Sequence, residues 1–457
     1  MINSKNNNKK YAVETGLKFD RSMVATGKES DIRLLIKLKR EVDSGSSERN
    51  KLNIALVIDR SGSMHGMKLE RVKDAAINFV EKMKDDDIVS VVSFDDLVTI
   101  DLPPAPVREH ARSAAGVIKA MHSGGSTYLS GGYEAGFTQT KGMHKNGVTS
   151  RIILLTDGEA NVGEIRLEAL TGLAATKLTN GISTSTVGVG EGFNEQLLGA
   201  MAEAGMGNTY YIQTPEDAVS VFEEELGYLM QIGAKNVTVK IVSSFPGMSL
   251  GQFNKYPEKE PGKYLIGDLY GGKERTLLLE FGIPSIAQTG KVHLGEVQLN
   301  YDLVDGENLT SHTESFPLEI DVVSPEMLKS LSPDKEVTLA LCNYILAKVK
   351  EEILVLLEHR EYEKSVALVM ETMDKIRAFG IEDPALEREL RDLEERSRMI
   401  AEYREDYYMI DKKRLYYESS NMMTGKAYAN LQMNLREESS GFNPLEKLKR
   451  TITRKKG

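Results

Sequence analysis

The chain has 457 residues, one cysteine and a formal net charge of −10, with 40% hydrophobic and 28% charged residues. That apolar fraction supplies cores for two or three domains, and the acidic balance excludes a nucleic-acid-binding surface spread over the whole chain, because phosphate recognition needs clustered Lys and Arg. No stretch approaches the roughly 20 uninterrupted apolar residues of a membrane span, the opening MINSKNNNKKYAVETG lacks the apolar core of a secretory signal, and Cys342 stands alone, so a cytoplasmic location is expected.

In chain order, DIRLLIKLKREV (31–42) alternates apolar and charged residues as a strand does. A lone strand or hairpin is marginal, so residues 1–50 are expected to belong to a β-sandwich completed later in the chain. From 51 to 234 strand and helix patterns alternate. LNIALVID, IVSVVSF and RIILLTD read as buried strands. LERVKDAAINFVEKM reads as an amphipathic helix with Leu69, Val72, Ala76, Phe79, Val80 and Met83 on one face. Further helices are expected near 165–179, 194–204 and after Thr214-Pro215-Glu216, a good capping pattern, with strands in STSTVGVG and TYYIQ. Six alternations predict an α/β, doubly wound, mostly parallel sheet.

Residues 235–325 carry strand patterns such as NVTVKIV, TLLLEFGI and VHLGEVQLNYDLV between Gly and Pro turns, which predicts the β-sandwich. Residues 330–420 predict a helical region, and its Cys342, within LALCNYIL, reads as a buried helix residue. The third helical stretch mixes both charge signs, with a thin apolar stripe at Leu386, Leu390, Leu393, Ile400, Tyr403 and Tyr407. Residues 421–457 read as an irregular tail ending in the basic KLKRTITRKKG. A solvated tail is the plain interpretation; an anionic partner is the alternative.

The first long apolar run, NIALVID, passes directly into Arg60, Ser61, Gly62 and Ser63. Ligands of an open parallel sheet bind beyond the carboxyl ends of its strands, where the strand order reverses. Asp59, Ser61 and Ser63 therefore place hard oxygen donors at alternate positions in such a crevice, a set that suits a hard divalent cation. Taken alone, D-x-S-x-S also fits an N-capping loop. Thr127 in SGGSTYLSGG and Asp157 in RIILLTDGEANVG stand at other strand ends and complete a five-residue donor set.

In type and order these five residues resemble the von Willebrand factor type A domain and its metal-ion-dependent adhesion site. The resemblance implies that Ser61, Ser63 and Thr127 coordinate through hydroxyls, Ser126 being a second hydroxyl beside Thr127, while Asp59 and Asp157 act directly or through water. It implies Mg²⁺, with Mn²⁺ or Ca²⁺ as alternatives, and a partner protein presenting an Asp or Glu carboxylate to an open coordination position. Met64, His65, Met67, Tyr128, Leu129, Glu159, Ala160 and Asn161 are the candidate rim. More loosely, the succession of domains is similar to bacterial proteins related to the calcium-activated chloride channel and inter-α-trypsin inhibitor heavy-chain groups.

This predicts a scaffold or adaptor that binds and does not turn over substrate. The alternative is a structural subunit in which the helical region drives assembly and the metal stiffens the loops. A metal-dependent hydrolase is a remote third, because a haloacid-dehalogenase-like phosphatase needs a second Asp where Ser61 stands. The glycines of GVGEGF (188–193) do not make a dinucleotide fingerprint, and the seven histidines show no zinc spacing.

Overall fold

The computed structural model describes residues 2–3, 13–41, 50–145, 147–190, 193–212, 215–305, 308–329, 331–404, 407, 412, 415–416, 418–420 and 422–425. The basic segment at the end of the chain lies outside the described residues. Two compact units are present: one comprises residues 41–235 and 302–312, the other residues 1–40, 236–301 and 313–457. Among the described residues no helix is long and apolar enough to cross a membrane.

Four strands open the chain: β1 (Ile2–Asn3), β2 (Glu14–Phe19), β3 (Met23–Ala25) and β4 (Ser30–Lys39). The α/β unit follows, with β5 (Leu52–Asp59), a 3-10 turn at Gly62–Met64, α1 (Met67–Lys82), β6 (Ile88–Phe94), β7 (Val98–Pro106), α2 (Val107–His110), α3 (Ala114–Lys119) and α4 (Leu129–Gly142). It continues through β8 (Thr149–Thr156), α5 (Leu167–Thr179), β9 (Ile182–Val189), α6 (Glu195–Ala204), β10 (Met206–Ile212) and α7 (Pro215–Met230). The sheet order is β10-β9-β8-β5-β6-β7. All of its pairings are parallel except β6 with β7. Every residue of β5, β6, β8 and β9 is buried, which is why these strands read as unbroken apolar runs: helices cover both faces of a parallel sheet. Strand β7 carries Pro103, Pro104 and Pro106 at the sheet edge, where a missing N–H breaks no ladder.

Helix α4 was not expected, because LSGGYEAGFTQTKG has weak helical propensity. Its glycines serve packing. A Cβ on Gly136 would lie 2.3 Å from Val57 Cγ2, so the helix backbone rests directly on β5. Gly136→Val is expected to cost about 1–3 kcal/mol by overpacking, read from urea denaturation. Gly172→Ala, at an exposed helical position with open space around it, serves as the control and should be neutral or stabilising.

The second unit is built from three chain segments. Its later elements are β11 (Ile232–Ser243), β12 (Ser249–Gln252), β13 (Glu258–Glu260), β14 (Lys263–Tyr270), β15 (Glu274–Ile283), β16 (Gly290–Asp305), β17 (Asn308–Val323), α8 (Pro325–Leu328), α9 (Lys335–Glu358), α10 (Tyr362–Arg377) and α11 (Pro384–Tyr403). Two sheets form, of order β1-β2-β4-β15-β12 and β13-β14-β11-β16-β17-β3. Strand β4 pairs antiparallel with β15 along its whole length, from Ser30 opposite Ile283 to Lys39 opposite Glu274. Leu35 and Leu278 of that pair belong to the same core cluster as residues of α9, α10 and α11. The Asp334 side chain caps α9 by accepting from the Glu336 and Val337 N–H groups. Cys342 is buried, and burial pushes its thiol up to about 11. The charged third helix buries Leu386, Leu390, Leu393 and Ile400 together with Arg396, whose guanidinium donates to Asp392 and Glu418.

Candidate metal centre

The strand order reverses beside β5, with β6 on one side and β8 on the other. The carboxyl ends of β5 and β8 thus border the crevice in which open α/β sheets place their ligands. Asp59 is the last residue of β5, and Asp157 directly follows Thr156, the last of β8. Their exposures are 0% and 1%. Asp59 Oδ1 accepts the Ser61 N–H at 2.8 Å, and Oδ2 accepts the Thr156 hydroxyl at 2.5 Å. Thr156 Oγ1 itself accepts the Gly158 N–H at 2.8 Å, so one hydroxyl orients the first acid and the turn that carries the second.

The D-x-S-x-S loop is zipped to its neighbours by backbone hydrogen bonds. Arg60 N–H donates to Phe94 O at 2.8 Å, Gly124 N–H to Arg60 O at 2.7 Å and Gly62 N–H to Gly125 O at 2.9 Å. The Ser61 and Ser63 hydroxyl oxygens stand 3.1 Å apart. Thr127 is buried, donates its N–H to Asn161 Oδ1 at 2.7 Å, and accepts the Asn161 and Val162 N–H groups at 3.2 Å each. The Thr127 loop is therefore tied to the first loop on one side and to the loop beyond Asp157 on the other.

Asp157 Oδ2 accepts from Lys68 Nζ at 3.0 Å, while its Oδ1 is buried without a hydrogen-bond partner. A buried carboxylate oxygen with no donor is costly, and a cation would relieve it. The donor set is two acids and three hydroxyls, all oxygen, which fits a hard divalent ion. Among the described residues no three His, Cys, Asp or Glu side chains cluster as a metal site; of the five candidate residues two are acids and three carry hydroxyls.

Burial pushes the Asp59 carboxyl up to about 6, against the hydrogen bonds from Ser61 and Thr156 that lower it. Because the folded value lies above the ordinary 3.8, the stability contributed by protonated Asp59 in the metal-free protein is complete below about pH 4 and is lost as pH rises through about 6. A cation held there would compete with that same proton. The Mn²⁺-induced rise in melting temperature is therefore expected to be small at about pH 5 and larger at about pH 7, measured by calorimetry.

The rim departs from expectation at two positions. Met64 and Leu129 are 0% exposed: Met64 turns inward from the 3-10 turn, and Leu129 opens α4 within the core against β5, so neither faces solvent. His65, Met67, Glu159 and Asn161 are exposed, and Tyr128 and Ala160 are half-buried. Leu97 and Ile165 are 67% and 52% exposed, in the turn after β6 and in the loop after Asp157. The structure adds Arg60, paired with Asp95 at 3.2 Å, and Lys68. Lys68 and Asp157 are 89 residues apart, a separation that no motif spacing signals.

The family model of the von Willebrand factor type A domain matches residues 53–224, the stretch that builds this sheet and all five donors. The chain contains a von Willebrand factor type A domain. This is a general protein-interaction and adhesion fold. The chain is 27% identical over 345 residues to an uncharacterized protein of Synechocystis, covering 73% of this chain and 80% of that one. It is 30% identical over 248 residues to the uncharacterized protein YfbK of Escherichia coli, covering 52% and 43% of the two. Against human inter-alpha-trypsin inhibitor heavy chain H3 the identity is 30% over 177 residues, 36% of this chain and 19% of the relative. The chain thus spans less than half of the latter two proteins. Among solved structures, a von Willebrand factor type A protein from Catenulispora acidiphila superposes with a TM-score of 0.64 at 16% identity, covering 86% of this chain and 90% of that one. The ArnB paralog VWA2 from Sulfolobus acidocaldarius gives 0.58 at 17%, covering 90% and 98%. At these identities the likeness is one of fold.

Proposed function

We propose that this domain is a metal-dependent protein-interaction module that takes an Asp or Glu side chain from a partner protein. The observation that carries the reading is the buried, unpartnered Oδ1 of Asp157, set at a strand end beside Asp59, Ser61, Ser63 and Thr127. Those five residues would hold the ion, Mg²⁺ first, with Mn²⁺ or Ca²⁺ as alternatives. Bound there, a divalent ion supplies affinity for a carboxylate in exchange for a water. Ser61, Ser63 and Thr127 contribute neutral oxygens, which leaves positive charge for an incoming acid. Around them exposed Met67 offers apolar contact, and His65, Glu159 and Asn161 offer polar contact. The reading is one of binding and not turnover.

Partner capture from cell extract in Mg²⁺, compared with EDTA, tests the reading directly. Wild-type protein should retain a partner only with metal, and Thr127→Ala should retain none in either condition. Capture that survives both EDTA and the substitution would remove the adhesion reading.

A further inference from the structure

The two acids of the candidate shell do not face it with two full negative charges. Lys68, in the first turn of α1, reaches across to the end of β8 and donates to Asp157 Oδ2 at 3.0 Å, leaving Oδ1 open. Its stem is seated. Lys68 Cε lies 2.5 Å from where a Cβ on Gly190 would stand, and Gly190, with φ +79°, closes the end of β9 beneath it. The Lys68 side chain is 30% exposed, against 1% for Asp157. The other nearby cation, Arg60, is engaged at 3.2 Å by Asp95, outside the donor set.

We infer that Lys68 is a charge-setting residue of the site, which weakens its hold on the cation alone and strengthens its hold on a partner's carboxylate. The inference rests on the metal-dependent reading above. Two carboxylates would cancel the charge of a divalent ion. With Lys68 beside Asp157 the three side chains sum to −1, so the loaded site keeps a positive charge that favours an added acid. The second oxygen of Asp157 remains available because Lys68 occupies only the first. At an effective dielectric of about 20, a unit charge a few ångströms from a divalent ion changes its affinity by at least an order of magnitude.

Mn²⁺ binding is measured by titration calorimetry on the wild-type chain and on Lys68→Met, Lys68→Gln and Lys68→Arg, each with chloride or with acetate as the added anion. Lys68→Met and Lys68→Gln should bind Mn²⁺ roughly tenfold more tightly in chloride. Both should lose most of the tightening that acetate gives the wild type, and Lys68→Arg should behave as wild type. Unchanged or weaker Mn²⁺ binding by Met and Gln, with metal-free melting temperatures intact, would overturn the inference and assign Lys68 a merely orienting role. Tighter binding with the acetate effect undiminished would overturn it equally, since the carboxylate half would be absent. A wild-type chain that binds no Mn²⁺ would overturn both this inference and the metal-dependent reading, whereas wild-type binding without the Lys68 effects overturns the inference alone.

Discussion

Arg151→Met should destabilise the α/β unit by about 3–5 kcal/mol in urea denaturation, because it strands a buried carboxylate. Arg151 on β8 and Glu225 on α7 are 0% and 1% exposed and meet at 2.8 Å. Glu225 also accepts from Ser185 at 2.6 Å, Asn208 at 2.9 Å and Tyr210 at 2.8 Å. Burial drives its carboxyl up, but the Arg151 guanidinium and these donors outweigh it, and the net direction is down. One acid therefore ties α7 to β8, β9 and β10. The double substitution Arg151→Met with Glu225→Leu should recover only part of the loss, because it removes the unpaired buried charge but leaves the Ser185, Asn208 and Tyr210 donors without their acceptor. A single-variant cost under about 1 kcal/mol would mean that the pair contributes little to stability.

Asp59→Ala should abolish the stabilisation that Mg²⁺ or Mn²⁺ confers. At a hundredfold excess over its Kd a ligand stabilises the native state by about 2.7 kcal/mol, a shift of several degrees in a domain of this size. Asp59 is the acid at the switch point of the sheet, and its two oxygens are already oriented by Ser61 N–H and the Thr156 hydroxyl. Removing it deletes a donor and the group that fixes the loop. Asp59→Asn separates the two effects: it keeps the side-chain shape and removes the charge, so it should retain metal-free stability while losing the metal-induced shift. Metal-induced stabilisation of undiminished size in Asp59→Ala would exclude this carboxylate from the site.

Much of the α/β unit was legible because its central strands are buried on both faces, which leaves unbroken runs such as LNIALVID and RIILLTD in the sequence. The candidate donors were legible for the same reason, since Asp59 and Asp157 interrupt those runs where the strands end. Helix α4 was not. Its glycines argue against a helix locally, and contact with Val57 outweighs that propensity. The inward turn of Met64 and Leu129 was equally hidden, because a loop's sequence does not say which of its apolar side chains faces the core. Nothing in the mixed charges of the third helix distinguishes Arg396 from its neighbours, yet it is 0% exposed and held by Asp392 and Glu418.

By itself the sequence determined where the buried strands run, that a sheet of the doubly wound class follows from them, and that Asp59 and Asp157 stand at strand ends. These are properties of period, burial and chain order, all of which are local. Thr127, expected at a strand end too, lies in the loop between α3 and α4. Tertiary structure alone decided which charges meet: Lys68 with Asp157, Arg60 with Asp95, and Arg151 with Glu225. Each pair joins residues distant in the chain through the closure of a sheet and its helices, and electrostatic energy depends on that distance in space.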